Sequence, residues 1–311
     1  MLQSKKQSIL GLAALTQAQL DGWAVQAQAH IQGGQPNYIP LLAQANRTWF
    51  AVQIQGMDGQ IHTSGDVTLS FPLMSVVKPF VLLFLLEQLG SEAVFGRVGM
   101  EPSDEPFNSL KQLQADQGWP RNPMLNSGAI ALASLLPGQD ARSRCESLRQ
   151  WLNQSSNCQL FLDELMLSSV RAAGGERNRA IASLLAAEGY LEAEAPALDT
   201  YNHVCCLSGT VADLALMGML LVQCQGAILP EHRRTVNALM TTCGLYQASA
   251  RFAVQVGLPT KSGVSGALIS VVPSQGAIAC YSPALDQVGN SVAGLFLLQQ
   301  LTQVLELSVF G

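Results

Sequence analysis

Ser75 and Lys78 lie three residues apart at the start of the apolar stretch "SVVKPFVLLFLLEQLG". On a helix, residues i and i+3 share a face, so the hydroxyl and the amine can meet. Pro79 is tolerated only near the start of a helix, which places Ser75 at the N-terminal tip, where the helix dipole favours developing negative charge. Apolar neighbours disfavour protonation of Lys78, and a neutral amine is a usable general base. The pair predicts a serine nucleophile activated by a lysine.

Two later segments contain residues that fit the same chemistry. "NPMLNSGAIAL" places Asn126 at a small-residue bend before a helix, where an amide side chain can reach a cleft. "LPTKSGVSGALI" presents Lys261 on a β-like run, and Gly263 allows the backbone to approach a ligand closely. The next N–H, that of Val264, can complete an oxyanion hole with the N–H of Ser75. Serine-x-x-lysine, an S-x-N-like element and then K-[ST]-G is the order found in penicillin-recognising serine enzymes.

The order of elements predicts which parts of the chain position these residues. The first 35 residues indicate a helix, and the pattern from 75 to about 234 is overwhelmingly helical. A hairpin is predicted at 49–54 and 60–63, and three β-rich runs follow the helical region at 252–256, 267–272 and 277–281. A final apolar helix is predicted from 291 to about 305, with Asn290 as its N-cap.

Strands at both ends and helices between them predict one α/β fold of the α+β type. Its antiparallel sheet is built from both chain ends and flanked by the first and last helices, with the helical segment as an inserted lobe. We expect a single catalytic unit over residues 1–311, with a sheet lobe at about 1–70 plus 240–311 and a helical lobe at about 71–239. A ligand site is expected in the cleft between the lobes.

Composition excludes several classes of partner and cofactor. The net charge is −5 without a basic cluster, which argues against nucleic acid. The 7 cysteines lack CxxC spacing and only 4 histidines are scattered along the chain, so we expect no metal site and reduced thiols in a cytoplasmic protein. The apolar run at 80–86 is too short to span a membrane. A charged fraction of 13% suggests a well-buried chain with a subunit interface.

Longer strings resemble one family, the serine-dependent glutaminases, from residue 37 to the final helix. They are "FPLMSVVKPF", "VGMEPSDEPFNSL", "PRNPMLNSGAIALASLL", "ERNRAIASLL", "LMTTCGLYQASARFAVQVGLPTKSGVSGALISVVP" and "SPALDQVGNSVAG". The resemblance implies a β-lactamase/DD-peptidase-like fold and hydrolysis of L-glutamine to L-glutamate and ammonia without a cofactor. It also implies a homodimer or homotetramer acting on a small-molecule amide.

The resemblance assigns roles position by position. Ser75 matches the nucleophile and Lys78 its base. Tyr246 and Tyr201 match two active-site tyrosines, either of which can relay a proton to the leaving ammonia, although a buried tyrosine bonded within the core is the ordinary interpretation without the resemblance. The remaining matches are expected to contact the substrate or its oxyanion: Tyr38, Asn126, Arg171, Asn178, Lys261 and Val264.

The chain departs from the family pattern at three positions. Met74 stands where a glutamine usually precedes the nucleophile, and Cys206 stands where a serine is usual. Arg171 occupies the position, seven residues before Asn178, where the family places a glutamate that binds the substrate α-ammonium. An arginine there would repel an ammonium. Glu176 lies nearby but is not the match by register.

Arg171 therefore leaves three functions to weigh. The leading one is a glutaminase that works through an acyl-enzyme, with weak glutamine turnover and a high KM. The second is a related amidase whose ω-amide substrate, such as 2-oxoglutaramate, lacks the α-ammonium, so that Arg171 binds an anion. The third is a non-catalytic ligand-binding homologue, which is disfavoured because the candidate catalytic set is intact.

Overall fold

The computed structural model describes residues 11–222 and 228–311, so predictions for residues 1–10 and Cys224 lie outside it. The described strands are β1 (Ala51–Gly56), β2 (Ile61–Gly65), β3 (Phe71–Pro72), β4 (Phe161–Leu162), β5 (Leu207–Gly209), β6 (Thr260–Ser262), β7 (Ala267–Val272) and β8 (Gly276–Tyr281). The described α-helices are α1 (Gln17–Ala29), α2 (Pro40–Ala43), α3 (Lys78–Phe95), α4 (Leu110–Ala115), α5 (Asn126–Ala133), α6 (Ala141–Ser156), α7 (Glu164–Ala172), α8 (Glu176–Ala187), α9 (Glu194–Cys205), α10 (Val211–Met219), α11 (Pro230–Cys243), α12 (Ser249–Gln255) and α13 (Val292–Leu305). Short 3₁₀ turns lie at Leu12–Ala14, Met74–Val77 and Tyr246–Ala248.

The main sheet joins the two ends of the chain, as predicted. Its order is β2-β1-β8-β7-β6 and every neighbouring pair is antiparallel. The central pairing sets Ala51 opposite Tyr281 and Gly56 opposite Gly276. Helices α1 and α13 share an apolar cluster with one side of the sheet, and α3, α10 and α11 share another with strands of the same sheet. The α+β fold class is therefore confirmed.

One predicted strand is wrong, and its burial pattern explains why. Residues 252–256 are rich in β-formers, but they lie mostly in α12. Phe252 and Val256 are both buried, whereas Val254 between them is 88% exposed. Burial at i and i+4 is the helical period, so packing of one helical face overrides the local β preference.

Helix boundaries differ from the predictions at both ends of the chain. Helix α1 begins after Thr16, whose side chain accepts from the Gln19 N–H in a capping box, and it ends at Ala29. The cap of α13 is Ser291, whose side chain accepts from the Gly294 N–H, so Asn290 is not the N-cap.

The predicted helical region also contains a small sheet, in the order β3-β5-β4. Strands of two or three residues are too short to show an alternating pattern in sequence, which is why they were missed. The boundaries of the two lobes, near residues 70 and 240, stay a prediction.

The helical segment Met74–Phe95 is long and apolar enough to cross a membrane by length and composition. However, 72% of its most apolar stretch is buried within the protein, which is typical of a core helix. This helix carries Lys78 at its start, so its buried face anchors the candidate site in the core.

A glycine at the junction of α11 and β6 provides a test of this packing. A Cβ at Gly244 would lie 1.9 Å from the Thr260 carbonyl oxygen and 2.4 Å from that of Met240. Gly244→Ala must push the helix and the strand apart, and we expect it to lower the free energy of unfolding by about 1–3 kcal/mol. Denaturant unfolding followed by circular dichroism measures the change.

Gly22→Ala is the matched control, because a Cβ at this position in α1 meets nothing within 4 Å. It should stabilise the protein by about 0.5–1 kcal/mol, since alanine is the better helix former. Equal unfolding midpoints for the two variants would contradict the tight junction.

Candidate active site

Ser75 lies in the short 3₁₀ turn that leads directly into α3, as the proline position predicts. The N–H of Lys78 donates to the carbonyl of Ser75, so the two residues are one turn apart. Met74, just before the serine, has a φ of 47°, in the left-handed region that non-glycine residues rarely adopt. Backbone of this kind persists only where its surroundings impose it, and it is common at functional sites.

The amine of Lys78 is held by two oxygen atoms in the interior. Its Nζ donates to the Met124 carbonyl at 3.0 Å and to Asn126 Oδ1 at 2.8 Å, and the side chain is 2% exposed. Burial lowers the pKa of Lys78 to about 8, with the thiol of Cys205 opposing the shift. A neutral amine has two N–H bonds and one lone pair. Both N–H bonds are used here, which leaves the lone pair available to accept a proton.

A turn before α5 positions the two oxygens that hold Lys78. Asn122 Oδ1 accepts from the N–H groups of Met124 at 3.0 Å and Leu125 at 3.2 Å, and Asn122 itself is 1% exposed. A Cβ at Gly128 would lie 2.1 Å from the Asn122 carbonyl oxygen, so the first turn of α5 packs directly on this loop. Sequence reasoning missed Asn122, although its place in "RNPMLN" is a turn signal.

Asn126 connects three of the predicted site residues. Its Oδ1 accepts from Lys78 and also from the Tyr201 hydroxyl at 3.1 Å. Its Nδ2 donates to Asn178 Oδ1 at 2.9 Å. Burial raises the pKa of Tyr201 well above its usual value, so the phenol stays neutral and remains a donor. The amide of Asn126 has one further N–H that no described acceptor takes up, which suits it to a substrate oxygen.

Tyr246 approaches the serine from the sheet side. It has a φ of 57°, and its hydroxyl donates to the Ser262 carbonyl at 3.4 Å. Burial raises the pKa of Tyr246 to about 12, while the side-chain hydroxyls of Ser262 and Ser75 act against that rise. The Phe107 ring lies 4.7 Å from the tyrosine ring. The result is a protonated phenol within hydrogen-bonding reach of Ser75.

The end of β6 lies against the nucleophile. A Cβ at Gly263 would be 2.8 Å from the Leu73 carbonyl oxygen and 3.3 Å from the Ser75 nitrogen, so only glycine allows this approach. Val264 follows directly, and its backbone N–H has no described acceptor in the protein. Lys261, at the centre of β6, is fully buried at 0% exposure, and its contact with a substrate stays a prediction.

Tyr38 lies at the rim of the site. Its residue surface is 54% exposed, yet burial of its hydroxyl raises its pKa, with Tyr246 and Cys205 adding to the effect. The two observations agree if the ring is exposed while the hydroxyl end points toward the interior. This orientation fits the predicted role of a cleft tyrosine.

Arg171 does not join this network. Its guanidinium donates twice to Asp199 Oδ1, at 3.1 and 2.7 Å, and once to Oδ2 at 2.9 Å. Both side chains are partly exposed, and Asp199 neutralises the arginine locally. Asp199 is a second residue that sequence reasoning missed, because the pair joins α7 to α9 across distant parts of the chain.

The cysteines and the acidic residues of the described ranges were candidates for disulfides and for metal ligands. All the described cysteines are free and buried, namely Cys145, Cys158, Cys205, Cys206, Cys243 and Cys280. Burial raises the pKa of Cys205 to about 11, so it stays a thiol beside Lys78. No group of three or more His, Cys, Asp or Glu side chains in residues 11–222 and 228–311 is placed to hold a metal ion.

Comparison with known proteins gives a consistent result along the chain. A family model described as Glutaminase matches residues 33–310. The chain is 44% identical over 299 residues to a protein named Glutaminase from Synechocystis sp., covering 95% of this chain and 91% of the relative. It is 37% identical over 289 residues to a Glutaminase from Alkaliphilus oremlandii, covering 89% and 94%.

Solved structures resemble the fold equally closely. A probable glutaminase from Bacillus subtilis complexed with 6-diazo-5-oxo-L-norleucine superposes with a TM-score of 0.85 at 32% identity, covering 94% of this chain and 96% of that one. A covalent complex between a Bacillus subtilis glutaminase and 5-oxo-L-norleucine also gives a TM-score of 0.85 at 32% identity, covering 94% and 99%.

The charge state of Lys78 can be measured without any substrate. In protein labelled with ¹³C at the lysine ε-carbon, we expect the Lys78 resonance to titrate near pH 8, because burial disfavours its ammonium form. The spectrum of Lys78→Arg assigns the signal. A Lys78 midpoint above pH 10 would contradict a lysine poised as a base.

Proposed function

The chain belongs to the glutaminase family of amidohydrolases, and we propose that it hydrolyses L-glutamine to L-glutamate and ammonia through an acyl-enzyme on Ser75. The observation that carries the mechanism is the environment of Lys78, whose amine is buried and bonded to two oxygens. This arrangement favours a neutral amine one turn from a serine hydroxyl. Serine is a weak nucleophile unless a neighbouring base removes its proton.

Acylation begins at the serine hydroxyl. Lys78 uses both N–H bonds on Met124 and Asn126, so its lone pair accepts the proton of Ser75 Oγ. The serine oxygen attacks the side-chain amide carbon of glutamine, and the carbonyl oxygen becomes an oxyanion. The N–H groups of Ser75 and Val264, which the Gly263 contact brings near each other, are placed to donate to that oxyanion.

Breakdown of the tetrahedral intermediate requires a proton on the leaving nitrogen. Tyr246 is protonated over the working range, since its pKa is raised to about 12, and its hydroxyl reaches Ser75. It donates its proton to the departing ammonia and regains one from Lys78, which carries the proton taken from the serine. Water then attacks the glutamyl ester by the reverse sequence and releases glutamate.

A structural relative with a covalently bound analogue supports the proposal of covalent chemistry. The Bacillus subtilis glutaminase forms a covalent complex with 5-oxo-L-norleucine after reaction with 6-diazo-5-oxo-L-norleucine. This reagent is a glutamine analogue with a diazoketone in place of the amide. By extension, the substrate of this chain has the glutamine skeleton, and Tyr38, Asn126, Asn178 and Tyr201 are proposed to contact it.

The ion pair of Arg171 with Asp199 favours glutamine over the amide that lacks the α-ammonium. A free arginine at the rim would repel the substrate ammonium, but a bidentate carboxylate removes most of that charge. The altered-substrate hypothesis depended on an unpaired Arg171. With the pair in place, we propose that glutamine is the preferred substrate.

We also propose a cytoplasmic homo-oligomer. Free, buried thiols suit a reducing compartment. A charged fraction of only 13% agrees with a subunit interface.

Removal of the Ser75 hydroxyl tests the acyl-enzyme. Ser75→Ala should lower ammonia release from glutamine by about 10⁴-fold or more, because no other group replaces the nucleophile. Rapid quench and intact-mass spectrometry should show a glutamyl adduct on the parent protein and none on the variant. Ser168→Ala, which removes a hydroxyl that donates to the Glu164 carbonyl in its own helix α7, is the control and should retain activity. Substantial turnover by Ser75→Ala would exclude the serine mechanism.

Asp199→Asn tests whether the ion pair protects glutamine binding. Freed from its carboxylate, Arg171 should raise KM for glutamine by about tenfold, which corresponds to about 1.4 kcal/mol. KM for glutaramate, which lacks the α-ammonium, should stay unchanged or fall. Glu164 lies on α7 with Arg171 and forms an exposed ion pair with Arg142 of α6. Glu164→Gln breaks that pair and should change neither KM value. If the unmodified protein hydrolyses glutaramate better than glutamine, the altered-substrate hypothesis is restored.

A further inference from the structure

Lys261 is a second buried lysine beside the site, and its contacts differ from those of Lys78. It is 0% exposed, and its Nζ donates to the Ser262 carbonyl at 2.5 Å. The same Nζ lies 4.5 Å from the centre of the Tyr246 ring. Among the described residues, no ion pair includes Lys261. A buried ammonium without a carboxylate partner is strongly disfavoured, so the burial of Lys261 favours a neutral amine, whose N–H can still donate to the carbonyl.

We propose that Lys261 is a positioning residue that works as a neutral amine and orients the Tyr246 hydroxyl for proton transfer to the leaving ammonia. The inference rests on the proposed serine mechanism and replaces the expectation that Lys261 contacts the substrate. Lys261 acts through two groups, the Ser262 carbonyl and the face of the tyrosine ring.

The Ser262 carbonyl is the shared acceptor in this arrangement. It receives the Lys261 amine at 2.5 Å and the Tyr246 hydroxyl at 3.4 Å. The same residue is held from the other side, because its Oγ donates to Asn290 Oδ1 at 2.5 Å. A carbonyl fixed in this way gives the phenol a defined direction, with Ser75 on its other side.

The backbone of Tyr246 explains why such support is needed. Its φ of 57° is unfavourable for a residue with a Cβ, so the conformation persists only where neighbouring contacts impose it. The ring contacts Phe107 at 4.7 Å between centroids, in addition to Lys261. Without the amine, the phenol loses one of these contacts and its partner carbonyl loses its strongest donor.

The groups around Lys261 influence whether its amine is protonated. Lys78 approaches from α3, Cys205 from α9 and Cys243 from α11, together with the Tyr246 ring. Burial first, and the charge of Lys78 second, lower the pKa of Lys261 well below its usual value, while the two thiols oppose the shift. Burial and the neighbouring charge of Lys78 therefore both favour the neutral form of Lys261.

Lys261→Met removes the amine and keeps an unbranched chain in the core. We expect kcat for glutamine to fall by about 10²-fold with little change in KM, because proton transfer to the leaving group is weakened. A γ-thioester of L-glutamate, whose thiolate leaves without a proton, should lose much less, about threefold. The acidic limb of kcat/KM should stay near pH 8, since a neutral group has been removed.

Two further measurements separate this role from general disruption of the fold. The double variant Lys261→Met/Tyr246→Phe should be no slower than Tyr246→Phe alone, because both changes remove the same step. The ε-carbon signal of Lys261 in the unmodified protein should keep the neutral-amine shift at pH 7, a measurement that needs no variant to fold. Lys111→Met, at an exposed position, should behave like the parent protein.

The possible results separate the positioning role of Lys261 from the serine mechanism on which it rests. Activity in Ser75→Ala would overturn both, whereas an inactive Ser75→Ala with a fully active Lys261→Met would overturn the inference alone. Equal losses on the amide and the thioester would show a structural role without an effect on proton transfer. A protonated Lys261 at pH 7, or an acidic limb that moves upward in Lys261→Met, would show a charged lysine and overturn the neutral amine.

Discussion

The hydrogen bond between Lys78 and Asn126 is the contact on which the site depends. It joins the start of α3 to the start of α5, and both helices extend from it into the apolar core. An amine buried in this place needs acceptors, because an unpaired donor there costs about 1–3 kcal/mol. The Asn122 turn supplies them, and Tyr201 and Asn178 then bond to the same amide. The hydrogen bond that positions the proposed base therefore also joins α3 to α5.

Two residues with strained backbone lie next to the nucleophile. Met74 and Tyr246 have φ values of 47° and 57°, and each adjoins the serine from a different segment of the chain. Such conformations cost about 1–3 kcal/mol each and must be imposed by well-packed surroundings. Gly263 and Gly244 provide that close packing, since neither tolerates a Cβ without displacing backbone oxygen. The site is thus preorganised at the expense of local stability.

Sequence reasoning succeeded where local pattern and chemistry agree. Pro79 near the helix start indicated the tip position of Ser75, and short β-rich runs indicated β7 and β8. It failed where partners lie far apart in the chain. The Asp199 partner of Arg171 is set by the packing of α7 against α9, which no local pattern reports. The strand prediction at 252–256 failed for a related reason, since only one face of α12 packs against the rest of the protein and its β-rich residues follow the helical period.

The pairing of β1 with β8 has a consequence for synthesis of the protein. Ala51 finds its partner only when Tyr281 has left the ribosome, so the central sheet cannot close during most of translation. Contacts between residues far apart in sequence form slowly, because closing the long loop costs entropy before the contact contributes any stabilising free energy. Until then β1 and β2 form a lone hairpin with an unpaired edge, which is prone to association with other chains. Nascent chains of this fold therefore depend on rapid completion or on chaperone cover of that edge.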